Sequence, residues 1–371
     1  MYTGHGGNLE AIRARYGWDP ATVCDFSASL NPLGPPPVID AILQTASPLV
    51  AAYPDIECRA LRRGLARLHG LSDDSILIGN GSTEFIFLLP RVFRPRTVLV
   101  YPPTYRDYAE AAEAVGAAVA DGHAVGSRGD LAFVCNPNNP TGTALEADAV
   151  RALAADRPST LFVVDEAYVD LSDAPEAFSL LSAPLPDNVI VLRSFTKAYA
   201  VPGLRLGYAV GAPALMARVE RLKEPWAVNA LALAAGQALL ECDGHARAGA
   251  ELIRLERARL IEWLGALPGL HPGPSRANFV LVRLADSLHA DTLRDRLIED
   301  RILIRSCADF DGLGPSYIRV AVRTESENRR LVEALAVAVK GLPEPSSRSP
   351  FRDGQMQGGA ALCARSVLGR T

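Results

Sequence analysis

The chain is 371 residues long, with 49% hydrophobic and 22% charged residues, enough to bury a large core and to divide into two domains. A formal net charge of −4 gives no broad basic field for nucleic acid, and the longest apolar stretch, Val228–Leu240, is too short and too polar to cross a membrane. The six cysteines, at 24, 58, 135, 242, 307 and 363, form no CxxC pair and have no histidine at metal-ligand spacing, so free thiols in a reducing compartment are expected rather than disulfides or zinc.

Residues 1–37 are rich in Gly and Pro and read as an N-terminal arm. The opening Met1-Tyr-Thr-Gly-His5-Gly-Gly-Asn8 has neither a basic patch nor the apolar core of a secretory leader, so a cytoplasmic enzyme is expected. A helix is expected from about Cys58 to His69, with Leu61, Leu65 and Leu68 on one face. From about 75 to 211, short apolar runs at 75–78, 97–101, 131–135, 160–165, 188–193 and 206–211 alternate with helical stretches. That alternation predicts an α/β fold with a mostly parallel sheet covered on both faces.

Five of these runs lead into a distinctive turn. Gly79-Asn-Gly81-Ser82-Thr83-Glu84 follows the first run and precedes an apolar helix, so its backbone N–H groups can cradle a phosphate, or form only a Gly-rich turn. Tyr105 closes Tyr101-Pro-Pro-Thr-Tyr105 and is either a packing aromatic or a stacking one. Asn136-Pro-Asn-Asn139-Pro-Thr-Gly142 builds a rigid turn that can present the Asn139 amide to a ligand. In Leu161-Phe-Val-Val-Asp165-Glu-Ala-Tyr168, Asp165 sits where open α/β sheets bind ligands. It can pair with a protonated pyridine nitrogen or serve as a helix N-cap, and Tyr168 can hydrogen-bond a phenolic oxygen. Ser194-Phe-Thr196-Lys197, with Arg205 eight positions after the lysine, places an amine between hydroxyls and a guanidinium. Such an array can hold pyridoxal phosphate (PLP) by a Schiff base and an anchored phosphate, or be a solvated turn.

Beyond 211, helices are expected near 213–224 and 246–266, with a break at Pro225-Trp226. Runs at 277–283, 302–304 and 317–322 and helices at 290–300 and 325–340 read as a small α+β domain. After Gly341 the composition turns to Pro, Ser, Arg, Gly and Gln, so 343–371 is expected to be a disordered tail. The organisation expected is an arm (1–37), a large domain (38–265), a small domain (266–342) and the tail.

NPxNPTG, then DExY, then SxxK with Arg205 resembles the fold-type I PLP-dependent transferases of the aspartate aminotransferase superfamily. The resemblance implies a large domain with a mostly parallel mixed sheet plus a small α+β domain that packs with the arm. It also implies Lys197, Asp165 and Tyr168 as catalytic residues, with Gly81, Ser82, Thr83, Tyr105, Asn139, Ser194, Thr196 and Arg205 around the cofactor. Tyr53 is implied to reach the partner subunit's cofactor phosphate, hence a homodimer with shared active sites. The ends of the chain narrow the family. His5-Gly-Gly-Asn8, Asp25-Phe-Ser27-Ala-Ser29-Leu-Asn31-Pro-Leu-Gly34, Tyr53-Pro-Asp55-Ile-Glu-Cys-Arg59 and Ile302–Leu313 resemble the L-threonine-O-3-phosphate decarboxylases of cobalamin biosynthesis, over roughly 1–340. A phosphorylated amino acid is then the expected small-molecule partner, with neither nucleic acid nor membrane. Arg319 is expected at its carboxylate, since a guanidinium binds carboxylate bidentately. Arg305 is free to take the phosphate, and His5, Ser29 and Asn31 of the arm are expected at the substrate. Histidinol-phosphate aminotransferase, with the same cofactor motifs, is the second reading. A non-catalytic PLP-binding regulatory module is the third, and no helix-turn-helix pattern precedes the core to favour it.

Overall fold

A computed structural model describes residues 6–340, so His5 and the segment 343–371 lie outside the described residues. Among the described residues the strands are β1 (Cys24–Asp25), β2 (Ile76–Asn80), β3 (Thr97–Val100), β4 (Ala118–Asp121), β5 (Leu131–Cys135), β6 (Leu161–Asp165), β7 (Val189–Ser194), β8 (Leu206–Gly211), β9 (Leu270–Pro272), β10 (Phe279–Leu284), β11 (Ile302–Leu303), β12 (Arg305–Ser306) and β13 (Tyr317–Ala321).

Seven of them form one sheet in the order β2-β8-β7-β6-β5-β3-β4. Side chains alternate across a strand, so an unbroken apolar run needs cover on both faces. Consecutive residues divide accordingly. Val164, Val191 and Val210 join a cluster with Leu61, Leu65 and Val150. Their neighbours Val163, Ile190 and Ala209 join another with Phe85, Leu89 and Val219 on the other face. In the helix Arg59–His69, Leu61 and Leu65 are buried but Leu68 is 58% exposed, because it lies in the last turn, beyond the cluster. The edge strand β4 was not expected; its residues are mostly exposed, and a short Ala-Val-Ala-Asp run carries no burial pattern.

Strand direction positions the site. β8 is antiparallel to both β7 and β2, while β3, β4, β5, β6 and β7 pair in parallel. All strands except β8 therefore end at one edge of the sheet, and β8 begins there. The turns after Asn80, Cys135, Asp165 and Ser194 and the residue before Leu206 converge on that edge, where ligands of open α/β sheets bind.

The second sheet has the order β12-β13-β10-β9 and is antiparallel throughout. It packs on the helices Asp243–Gly265 and Glu325–Val339 through Ile253, Leu260, Val280, Ile318, Leu331 and Leu335. Thr324 and Glu327 form a capping box that starts the second helix. The arm is tied to this unit: β1 pairs in parallel with β11, and Phe26 enters the same cluster. The run expected at 302–304 is β11, and a second short strand not expected follows it, because the chain leaves β11 at Ile304 and joins β13 as β12. That switch brings Arg305 directly opposite Arg319 on the neighbouring strand. No helix of the described residues is long and apolar enough to cross a membrane.

Candidate active site

A cavity of about 510 Å³ opens where the strand ends of the large sheet face the arm and the second sheet. From the large sheet it is reached by the turns after β2, β5, β6 and β7, and from the other side by Ser29, Arg305 and Arg319.

The helix Ser82–Phe93 starts at the cavity wall, with Gly81 before it at φ +75°. A side chain at Gly81 would come within 2.8 Å of Arg205 Nη2, and one at Gly207 within 2.5 Å of the Ser82 nitrogen, so only glycine lets these parts meet. The unpaired N–H groups of the first turn, the Ser82 and Thr83 hydroxyls and the Arg205 guanidinium together make an anion cradle. Ser194 and Thr196 also line it; the Ser194 hydroxyl accepts from the Thr196 N–H at 3.2 Å, starting the short turn that carries Lys197.

Asp165 ends β6 and is buried. Its Oδ2 accepts from the Tyr108 hydroxyl at 2.8 Å and its Oδ1 from the Ala167 N–H at 3.0 Å. Burial pushes its carboxyl above the usual range, opposed by those two donors and by Lys197. Behind it, Glu166 is buried against Arg193 at 3.1 Å, which anchors the strand end. Burial, and then the charges of Arg319 and Arg205, lower Lys197 to about 8, so a useful fraction of its amine is neutral near neutral pH. Its Nζ stands 5.7 Å from the centre of the Tyr168 ring, whose hydroxyl is pushed up to about 12, chiefly by burial. Tyr105 meets Tyr108 edge to face at 5.5 Å, and Tyr108 stacks on Phe133 at 4.8 Å.

Across the cavity, Arg319 is buried and fixed on two sides. Its Nη1 donates to Asn139 Oδ1 at 2.5 Å and its Nη2 to the Ser27 carbonyl at 2.8 Å, while Nε has no hydrogen-bond partner among the described residues. Arg305 also lines the cavity but is not free: Nη2 pairs with Asp309 at 2.8 Å and Nη1 donates to the Ser306 carbonyl at 2.5 Å. The Ser29 hydroxyl is buried on the wall with no hydrogen-bond partner among the described residues.

Asn31 departs from expectation. It is buried with its amide donating to the Ala198 carbonyl at 2.8 Å and its oxygen accepting from the Leu33 N–H at 3.0 Å, and its backbone N–H meets the Lys197 carbonyl at 3.0 Å. It braces the lysine turn and does not line the cavity. Tyr53 does not line it either; it is 84% exposed, with its ring 5.0 Å from that of Trp226. Next to His5, Gly6 reaches the cavity, and a side chain there would come within 2.2 Å of the Ser27 carbonyl. The sequence reading missed Tyr108 and Asp309. Both lie within quoted or adjacent motifs, at three residues beyond Tyr105 and four beyond Arg305, but nothing local marks them.

PLP carries a phosphate, a ring nitrogen, a phenolic oxygen and an aldehyde. The cavity offers a group of the right kind for each: the helix cradle with Arg205, the Asp165 carboxylate, the Tyr168 hydroxyl and the Lys197 amine. Ser29 Oγ and Arg319 Nε, without partners among the described residues, add polar atoms suited to a second, anionic ligand.

The chain belongs to the aminotransferase class I and II family, whose model matches residues 21–335. The fold is that of the fold-type I PLP-dependent transferases. The chain is 38% identical over 359 residues to a threonine-phosphate decarboxylase of Salmonella typhimurium, covering 91% of this chain and 97% of the relative. It is 40% identical over 327 residues to a histidinol-phosphate aminotransferase of Symbiobacterium thermophilum, covering 83% and 88%. A histidinol-phosphate aminotransferase from Sinorhizobium meliloti, solved in complex with pyridoxal-5'-phosphate, superposes with a TM-score of 0.79 at 25% identity, over 91% of this chain and 95% of that one.

Proposed function

We infer that this chain is a PLP-dependent carboxy-lyase that converts L-threonine O-3-phosphate to (R)-1-amino-2-propanol O-2-phosphate and CO2 in cobalamin biosynthesis. The observation that carries the reading is the pairing of Arg305 with Arg319 on adjacent strands, both on the wall opposite Lys197. Two guanidiniums there suit a ligand with two anionic groups, and the near end-to-end match to a threonine-phosphate decarboxylase agrees.

PLP, when bound, supplies the electron sink for the pair released as the Cα–carboxylate bond breaks. The rest is done by the chain. Asp165 would hold the ring nitrogen, and Tyr105, Tyr168 and Asn139, which line the same cavity, would hold the rest of the ring. Arg319, fixed by Asn139 and the Ser27 carbonyl, receives the substrate carboxylate, and Arg305 exchanges Asp309 for the phosphate. Lys197 would hold the cofactor before substrate arrives and would return a proton to Cα afterwards, a transfer suited to an amine that burial lowers to about 8. Ser29 and the Gly6 segment close the wall and exclude water.

Histidinol-phosphate aminotransferase is the second reading, favoured by the 40% identity to one such enzyme. Histidinol phosphate has no carboxylate, so in that reading the arginines would take its phosphate in one half-reaction and the two carboxylates of 2-oxoglutarate in the other. Side-by-side assays decide: phosphothreonine alone should yield the amino alcohol phosphate, and histidinol phosphate with 2-oxoglutarate should yield no glutamate. The reverse outcome makes the chain an aminotransferase.

The working unit is proposed to be a cytoplasmic homodimer. Tyr53, Trp226, Val50 and Leu222 expose large apolar surfaces, and Tyr53 would then reach the partner's phosphate cradle. Gel filtration of the holoenzyme at monomer mass would remove that role for Tyr53.

A further inference from the structure

Tyr108 is a fully buried tyrosine whose hydroxyl donates to Asp165 and also lies beside the Cys135 thiol. Its ring is clamped by Phe133, stacked at 4.8 Å and 8°, and by Tyr105, edge-on at 5.5 Å and 82°. A tyrosine clamped in this way has little freedom to turn its hydroxyl elsewhere, so the 2.8 Å hydrogen bond is a fixed feature of the fold. It is also chemically one-sided. Tyr108 is far harder to ionise than an ordinary tyrosine, first because of burial and then because Asp165 is beside it, so it keeps the proton that it donates to Asp165. The opposite oxygen of Asp165 is taken by the Ala167 N–H, which leaves the carboxylate oriented from both ends.

We propose that Tyr108 is a positioning residue that acts through Asp165, keeping that carboxylate ionised and aimed so that the ring nitrogen of PLP, rather than the carboxylate, retains the shared proton. This rests on the reading that Asp165 pairs with the ring nitrogen. Desolvation alone favours a neutral Asp165, and a proton held there leaves the ring a weaker electron sink. A hydrogen bond donated to the carboxylate works in the opposite direction, because it stabilises the charged form more than the neutral one. The other groups facing Asp165 do not substitute for it. Cys135, paired with Asp165 across β5 and β6, is raised to about 12 by burial, Asp107 is a like charge, and Lys197 would be committed to the cofactor's aldehyde carbon in the holoenzyme.

The test is nitrogen NMR of holoenzyme reconstituted with PLP labelled at its ring nitrogen, whose shift reports where the proton sits. In Tyr108→Phe the ratio of ring-protonated to carboxyl-protonated forms should fall about tenfold or more, the loss expected for one hydrogen bond to a charged group. The kcat should fall with it while KM for phosphothreonine stays within about twofold. Site-specific 3,5-difluorotyrosine at 108, a stronger donor of nearly the same shape, should move the ratio the other way, which a purely packing role cannot do. An unchanged nitrogen signal in both variants, with Asp165→Asn altering it, overturns the role of Tyr108. An unchanged signal in Asp165→Asn as well overturns the pairing of Asp165 with the ring nitrogen beneath it.

Discussion

The two walls of the cavity differ in how they are built. On the large-sheet wall every candidate residue sits within a few positions of a strand end, so one topological fact, that all strands but β8 end at the same edge, delivers Gly81, Asn139, Asp165 and Lys197 together. On the opposite wall, position depends on long-range packing of the arm and the second sheet. There Ser29 faces the cavity while Asn31, two residues on, turns away to brace the lysine turn. Arg305 reaches the wall only because the chain switches partners after β11. A strand-end motif thus specifies its own place, whereas an arm residue of suitable chemistry does not.

The sharpest way to break the large-sheet wall is Lys197→Ala. Loss of the proton-transferring amine should lower kcat by about 10²–10⁴-fold, and borohydride should no longer fix cofactor to the lysine peptide. Labelling of Lys223 or Lys340 in the wild type would contradict the assignment.

Next is the pH response of the same residue. Attack on the cofactor aldehyde needs the neutral amine, and Lys197 is lowered to about 8. Its protonated form prevails below that value, so the rate of PLP uptake by apoenzyme should rise by roughly tenfold per pH unit up to about 8 and then level off. Stopped-flow absorbance measures it; a rise continuing toward the ordinary lysine range would show that burial and the Arg319 and Arg205 charges do not act as described.

The opposite wall is probed by Arg305→Ala. Removal of a charge-assisted contact should lower kcat/KM for phosphothreonine by about tenfold to a hundredfold, and for unphosphorylated threonine far less. Equal losses on both would take the phosphate away from Arg305.

Asn31→Ala gives the smallest effect on catalysis and sharpens the comparison most. As a brace, Asn31 should register in stability, by about 1–3 kcal/mol in urea denaturation of the apoenzyme, with KM for phosphothreonine little changed. A rise in KM at unchanged stability would return it to the substrate wall.

Much of the fold could be read before any coordinates, because buried parallel strands announce themselves as unbroken apolar runs such as Leu161–Val164 and Val189–Leu192. What was not legible has a common cause. β4 is exposed and lacks a hydrophobic run, β1 and β11 are two-residue strands set by each other's position, and the partners of Tyr108 and Arg305 are fixed by tertiary contact. Asp309 lies in plain view four residues beyond Arg305, yet whether a nearby acid pairs with an arginine or leaves it free depends on side-chain placement, which residue order does not encode.

The central claim is the reaction class, and it is tested most directly by counting CO2 released per active site from O-phosphothreonine with no keto acid present. Decarboxylation followed by protonation at Cα returns the cofactor in its aldehyde form, so the account predicts many molecules of CO2 per site. At most one half-reaction per site, with no CO2 and with turnover appearing only when 2-oxoglutarate is added, would contradict it.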